Sequence, residues 1–145
     1  MKKVYGDKVR IVWKNLPLSM HQYAAGAAIA SMAAHDQGKF WEYHDKLFAN
    51  QGKLKKEDLV QYARDLKLDV KRFQDAIDTG KFKPAVDADA SEADKLGVTG
   101  TPAFFVNGHF LSGAQPFDGF AKAINAELTK QGLPIPAGAA TAGGL

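Results

Sequence analysis

The sequence contains no cysteine. Disulfide exchange and thiolate catalysis both begin with a cysteine sulfur, so these 145 residues cannot perform either reaction by themselves. A structural disulfide and a zinc site with thiolate ligands are excluded for the same reason. Because cysteine is absent altogether, its usage gives no information about the redox compartment.

Long apolar runs and a dominant charge sign are also lacking. No apolar stretch reaches the roughly 20 residues that a membrane-spanning helix needs. The 19 basic and 16 acidic residues are mixed along the chain and give a formal net charge of only +3. Composition therefore predicts neither a membrane span nor a nucleic-acid interface. Hydrophobic residues make up 46% of the chain, which is ordinary for a folded domain with one core.

Metal-binding and hydrolytic patterns are missing as well. Glu42 and His44 are two positions apart and diverge on a helix, and no His-x-x-x-His pair occurs. We expect His44 to pack at the edge of a helical core and His21 to cap a helix or lie on the polar surface. The sequence also contains no arrangement of serine, histidine and aspartate typical of a catalytic triad, no phosphate-binding loop and no G-x-G-x-x-G motif. We therefore predict no metal, no cofactor and no catalytic side chain.

The most informative stretch lies between residues 97 and 113. Thr101-Pro102 cannot continue a helix, because proline lacks the N–H and restricts the residue before it. Ala103-Phe104-Phe105-Val106 is a short run of strand formers, and Asn107-Gly108 is the strongest two-residue hairpin signal. The stretch predicts a loop, a strand, a tight turn and a returning strand from His109 to Leu111.

These residues carry a resemblance to a known family. Val98-Thr99-Gly100-Thr101-Pro102 followed by Phe105-Val106-Asn107-Gly108 resembles the cis-proline loop and β-hairpin of thioredoxin-fold proteins of the DsbA type. The resemblance implies a cis Thr101–Pro102 bond and a backbone at Thr101 that binds an extended substrate peptide. Gly100, Thr101 and Pro102 are accordingly the predicted substrate-binding residues, with Gly100 permitting the loop geometry.

The rest of the chain is predicted to be mainly helical. Val9, Ile11 and Trp13 alternate with polar neighbours, which predicts a half-buried strand at Lys8–Lys14. Asp69 is placed as a helix N-cap. Apolar periodicity predicts helices near residues 19–36, 40–49, 56–66, 69–79, 82–96 and 117–132.

The resemblance covers residues 1–132 and implies an α/β, thioredoxin-like fold. Its core would comprise residues 1–18 and 97–132, with an all-helical insertion at 19–96. Residues 133–145 are rich in proline, glycine and alanine and are predicted to be a flexible linker or tail.

The family fold begins with a strand and with a helix that carries Cys-x-x-Cys. Only seven residues precede Lys8, so the resemblance implies an incomplete fold in which both elements are absent. Met1 is then either an internal methionine of a longer gene or the start of a natural cysteine-less relative.

In the thioredoxin arrangement, the absent strand lies between Lys8–Lys14 and Ala103–Val106. Without it, both strands would present unpaired backbone groups, which invites pairing with another chain. We expect either that the two strands come together within one chain, or that a neighbouring copy supplies a strand and forms a homodimer through the unpaired sheet edges.

The resemblance implies a parent protein that is a thiol:disulfide oxidoreductase or protein disulfide isomerase, of which this chain is a redox-inactive part. Its partner would be an extended peptide or unfolded protein, in a periplasmic or exported setting. One alternative is a non-catalytic peptide-binding module that acts by strand addition. Another is the related kappa-type glutathione transferase or isomerase branch, which can use serine but also needs the absent N-terminal segment.

Overall fold

The computed structural model describes residues 1–139 and shows a mixed α/β chain that divides into two compact units. We call Lys14–Val98 the helical unit, and Met1–Trp13 together with the chain from Thr99 onward the hairpin unit. Among residues 1–139 there are seven α-helices and one two-stranded sheet: α1 Lys2–Tyr5, α2 Ala24–His35, α3 Phe40–Ala49, α4 Lys56–Asp65, α5 Val70–Asp78, α6 Lys83–Lys95, β1 Ala103–Val106, β2 His109–Ser112 and α7 Phe117–Lys130, with 3-10 turns at Gly6–Lys8 and Ala137–Ala139.

The helical unit is built around the alanine-rich helix α2. Small side chains let neighbouring helices approach closely, and α2 packs against α3, α4, α5 and α6. Tyr43 of α3 and Phe73 of α5 are fully buried, with ring centroids 5.5 Å apart. The Tyr43 hydroxyl donates a hydrogen bond of 2.9 Å to the Leu59 carbonyl in α4. The aromatic pair therefore fills the space that the alanines leave.

Helix α5 begins where the sequence places its N-cap. The Asp69 carboxylate accepts a hydrogen bond of 2.9 Å from the backbone N–H of Arg72, and the Asp69 N–H donates to Gln37 Oε1 at 2.8 Å. These bonds satisfy groups that a helix terminus leaves unpaired. The predicted N-cap is confirmed.

Helix α2 begins later than predicted, at Ala24 rather than near Ser19. The preceding residues form successive tight turns, in which the His21 N–H donates to the Leu18 carbonyl and the Ala24 N–H to the His21 carbonyl. Pro17 lies just upstream and favours an extended residue before it. His21 is exposed in this turn segment rather than positioned at the first helical residues.

The predicted strand at Lys8–Lys14 is not formed. Val9 is extended, with φ −126° and ψ 137°, but residues 9–13 are not paired in a sheet, and β1 pairs only with β2. A strand depends on a neighbour for its hydrogen bonds, and local alternation cannot supply one. The expectation that Lys8–Lys14 and Ala103–Val106 come together within one chain is therefore wrong for the described residues.

The hairpin unit places the β1–β2 hairpin against α7. Asn107 and Gly108 have φ values of 47° and 89°, so both central turn residues have positive φ, as a type I′ turn requires. Phe104 contacts Phe120 of α7 edge to face at 4.7 Å. The Tyr5 hydroxyl of α1 is buried and donates to Asn125 Oδ1 at 2.8 Å. The hairpin prediction is confirmed, and Phe104 and Val106 join the hairpin to α7.

The segment after α7 differs from the flexible linker that its composition predicts. Ala137–Ala139 forms a 3-10 turn, Ala139 is fully buried, and its carbonyl accepts a hydrogen bond of 2.8 Å from Asn125 Nδ2. Small residues allow this close packing, which composition alone does not reveal. The remainder of the predicted tail, residues 140–145, lies outside the described residues.

Candidate functional site

The candidate site begins at the loop that enters β1. The Thr101–Pro102 bond is cis, as the resemblance implies, and both residues are exposed. The Gly113 N–H donates to the Pro102 carbonyl at 2.9 Å, which ties the loop to the end of β2. Gly100 does not have positive φ, and a Cβ there would meet no atom within 4 Å. Neither a positive φ nor a close approach therefore requires glycine at this position, and the substrate-binding role of Gly100 stays a prediction.

The outer edge of β1 carries the polar backbone groups of the site. In an antiparallel pair, alternate residues direct their N–H and C=O toward the partner strand. Val106 pairs with His109 across the turn, and four residues earlier in the chain the Pro102 carbonyl accepts from the Gly113 N–H. Residues 102, 104 and 106 therefore direct their backbone groups toward β2. The backbone groups of Ala103 and Phe105 consequently point away from β2, and within residues 1–139 they have no hydrogen-bond partner. This edge is open to an added strand.

The outer face of the hairpin is apolar. Phe105 and Phe110 lie opposite each other in the register, with ring centroids 5.1 Å apart. They remain 44% and 49% exposed, because the face that packs on α7 is the opposite one, with Phe104. An extended chain paired with β1 would therefore find aromatic side chains beside its backbone.

Glu127 of α7 fixes the turn of the hairpin. Its carboxylate accepts hydrogen bonds from Asn107 Nδ2 at 3.2 Å and Lys130 Nζ at 3.2 Å, and its Oε1 lies 3.1 Å from His109 Nε2. The Asn107 amide, followed by Lys130, holds the pKa of Glu127 below its usual range. No local sequence motif connects Asn107 or His109 to Glu127, so sequence reasoning missed this contact.

The histidine and carboxylates of α3 do not form a site. His44 Nδ1 lies 2.9 Å from Asp45 Oδ1, and the imidazole packs between Trp41 and Phe48, at 5.3 and 4.5 Å. Glu42 pairs with Lys39 instead, at 3.0 Å. Glu42 and His44 are therefore not brought together. Residues 1–139 contain no cluster of three or more histidine, aspartate or glutamate side chains that could hold a metal ion.

None of the helices within residues 1–139 combines the length and the apolar character that crossing a membrane requires.

The family model for the DSBA-like thioredoxin domain matches residues 8–125. The match spans the helical unit and the hairpin and confirms the predicted fold class, an α/β thioredoxin-like fold with an all-helical insertion.

Curated relatives include proteins that are named as transporters. The chain is 43% identical over 117 residues to "Na(+)/H(+) antiporter NhaA 1" of Salinispora arenicola and 42% identical over 117 residues to "Na(+)/H(+) antiporter NhaA 3" of Salinispora tropica. It is 40% identical over 110 residues to "Na(+)/H(+) antiporter NhaA" of Herminiimonas arsenicoxydans. These alignments cover 80%, 80% and 76% of this chain but 18%, 18% and 17% of the relatives. The chain thus spans about a fifth of the length of these curated relatives.

Proposed function

Because this chain belongs to the family of DSBA-like thioredoxin domains, we propose that it is the peptide-binding part of a thiol:disulfide oxidoreductase. The observation that carries the proposal is the cis Thr101–Pro102 bond in an exposed loop that leads directly into β1. The chain has no cysteine and is redox-inactive alone. In the proposed parent protein, the reacting pair of thiols would be supplied by other parts of the polypeptide.

The proposed substrate is an extended peptide or an unfolded protein. Strand addition obtains its affinity from main-chain hydrogen bonds, which every sequence can make, and its preference from side-chain contacts. In the chain alone, the Thr101 backbone and the outward groups of Ala103 and Phe105 would supply the main-chain bonds. In the longer polypeptide, the preceding strand would pair with the β1 edge, and the Thr101 backbone would bind the peptide. The Phe105–Phe110 pair would favour apolar side chains on the substrate.

The names of the relatives suggest where such a domain is found. We propose that it is one part of a longer polypeptide that also contains a Na(+)/H(+) antiporter, since the matched region is about a fifth of each relative. The domain would then act in a periplasmic or exported setting, as the family resemblance implies. The antiporter portion would transport ions, and this domain would bind or process peptide.

Peptide binding is tested by titrating the chain with an apolar peptide and following backbone amide signals by NMR. Signals of Thr101, Ala103 and Phe105 should shift. Phe105→Pro removes both the aromatic ring and an outward N–H, whereas Phe105→Ala removes only the ring, so the proposal expects weaker binding by the proline variant. Equal binding by the two variants, or no shifts at millimolar peptide, would contradict strand addition at this edge.

Redox function is tested by insulin reduction. The chain alone should show no activity, and the polypeptide extended to include the preceding coding sequence should reduce insulin. Replacing the first cysteine of that extension by serine should abolish the activity. An extended, folded polypeptide without activity would remove the oxidoreductase proposal while leaving peptide binding untouched.

The second candidate function is a non-catalytic peptide-binding module. It is favoured by one specific combination: the loop and open β1 edge are present, but cysteine is not. A second copy of the chain could occupy the same edge and form a homodimer. Sedimentation at increasing concentration, with and without peptide, distinguishes these cases, because a peptide that competes for the edge would dissociate the dimer.

A further inference from the structure

We propose that Asn107-Gly108 is a site of spontaneous covalent modification, and that its conversion to aspartate or isoaspartate releases the hairpin turn from α7. This inference concerns the turn and is independent of the proposed function. It is based on the geometry of the turn and on the contact between Asn107 and Glu127.

The turn leaves both reacting groups accessible. Asn107 and Gly108 are exposed, and Gly108 has no side chain to shield its backbone nitrogen. In this hairpin the bonds that close the turn join Val106 and His109, so they do not use the Gly108 N–H. No hydrogen bond among the described residues involves that N–H. The nitrogen can therefore act as a nucleophile without first breaking a ladder hydrogen bond.

The chemistry requires only water as a co-reactant. The Gly108 nitrogen attacks Asn107 Cγ, the bond from Cγ to Nδ2 breaks, and the amide proton leaves with Nδ2 as ammonia. The product is a five-membered succinimide. Water then opens one of its two carbonyl–nitrogen bonds. Opening at Cγ gives aspartate with the original backbone, and opening at the former main-chain carbonyl gives isoaspartate, which lengthens the backbone through the side chain.

The product is incompatible with the present contact to α7. Asn107 Nδ2 now donates to Glu127 Oε2 at 3.2 Å. Conversion replaces this donor by a carboxylate, so two negative charges face each other at hydrogen-bond distance. The Glu127 side chain is only 13% exposed, which limits its retreat into water. His109 and Lys130 also contact Glu127, but they cannot restore the lost donor. The turn is expected to separate from α7.

Reactivity is tested by incubating the folded chain at neutral to mildly alkaline pH and mapping its peptides by mass spectrometry. The peptide that contains Asn107 should gain the mass of an amide-to-acid conversion and become a substrate for isoaspartyl methyltransferase. The same experiment follows Asn15, Asn50 and Asn125 as internal controls. Conversion of Asn107 no faster than conversion of these three would overturn the assignment of the site.

The structural consequence is tested with Asn107→Asp in the wild-type and Glu127→Gln backgrounds. In the wild type we expect faster amide hydrogen exchange at His109 and Leu111, whose N–H groups point toward β1. In the Glu127→Gln background this increase should largely disappear, because a glutamine amide can donate to the new carboxylate. Gln74→Glu, which adds a charge on α5, should leave the exchange unchanged.

A further variant keeps the test informative if Asn107→Asp folds poorly. Asn107→Gly suits the positive φ and removes the donor without adding charge, so it should accelerate exchange less than Asn107→Asp. Equal acceleration by both variants, or an undiminished effect of Asn107→Asp in the Glu127→Gln background, would overturn the proposed charge conflict.

Discussion

Asn15 donates two hydrogen bonds to one carboxylate oxygen of Asp89, one from its backbone N–H and one from its side-chain amide, both at 3.0 Å. Asn15 is buried, and Lys14 Nζ donates to the other Asp89 oxygen at 3.1 Å. The bonds join the first residues of the helical unit to the middle of α6. Asp89 therefore holds together two segments that are far apart in sequence.

Asp89→Ala should destabilise the protein by about 1–3 kcal/mol, because it removes the carboxylate that accepts two hydrogen bonds from the buried Asn15. Asp89→Asn retains one side-chain oxygen and should cost less. Urea unfolding measures both free energies. A change of less than about 0.5 kcal/mol in Asp89→Ala, the range typical of neutral surface substitutions, would show that this contact does not stabilise the fold.

The same carboxylate should make stability pH-dependent. Burial alone would raise the pKa of Asp89, but hydrogen bonds from Asn15 and Lys14 outweigh it and hold that pKa below its usual range. An aspartate in an unfolded chain has a pKa of about 3.9. The Asp89 contribution is therefore fully present above that pH and is lost as pH falls through the lower pKa of the folded state.

The measurement for this prediction is the free energy of unfolding of wild type and Asp89→Asn between neutral and acidic pH. The difference between the two proteins should shrink as Asp89 becomes protonated. Other carboxylates with lowered pKa values, such as Asp36 and Glu127, are present in both proteins and cancel in the difference. A difference that stays constant across the acidic range would contradict the assignment to Asp89.

Tyr43→Phe should cost about 0.5–1.5 kcal/mol, the usual net value of one hydrogen bond. The hydroxyl is fully buried and donates to the Leu59 carbonyl at 2.9 Å. Because α4 continues past Leu59, that carbonyl keeps its helical partner and is not left wholly unsatisfied. Tyr23→Phe is the matched control, since Tyr23 is exposed. In thermal unfolding, the melting temperature of Tyr43→Phe should lie clearly below that of Tyr23→Phe. Equal melting temperatures of the two variants would refute the prediction.

Asp69→Ala should destabilise α5 by about 1 kcal/mol through loss of the N-cap. Asp69→Asn keeps an oxygen that can accept from the Arg72 N–H and should recover most of the loss. Both variants keep the Asp69 backbone bonds with Gln37. Chemical denaturation followed by circular dichroism measures the difference. If Asp69→Ala and Asp69→Asn were equally destabilising, loss of the side-chain cap would not be the cause of the lower stability.

Local signals in the sequence were sufficient for several elements. The bounds of α3, the Asp69 cap and the Asn107-Gly108 turn depend on neighbours within a few residues, and all three are confirmed. The fold class was predicted from the family resemblance of residues 98–102 and 105–108, and the family match confirms it. The substrate-binding role of Thr101 stays a prediction.

Contacts between distant residues account for what the sequence did not reveal. The alternation in Lys8–Lys14 is typical of a segment that can form a strand. The strand forms only where a neighbouring strand offers unpaired N–H and C=O groups to it. Glu127 reaches Asn107 and His109 through the packing of α7 on the hairpin, across about twenty residues of sequence. Asn125 donates to the Ala139 carbonyl, which is a second contact that no local pattern reveals.

The most direct test of the account is the in-frame nucleotide sequence upstream of the Met1 codon in the source gene. A strand and a helix of average length need about 20 residues, so the informative window is short. We predict a Cys-x-x-Cys motif within this window, which would supply the thiols that this chain lacks. A stop codon in that window, or an open frame without a cysteine pair, would contradict the oxidoreductase proposal and leave peptide binding as the leading function.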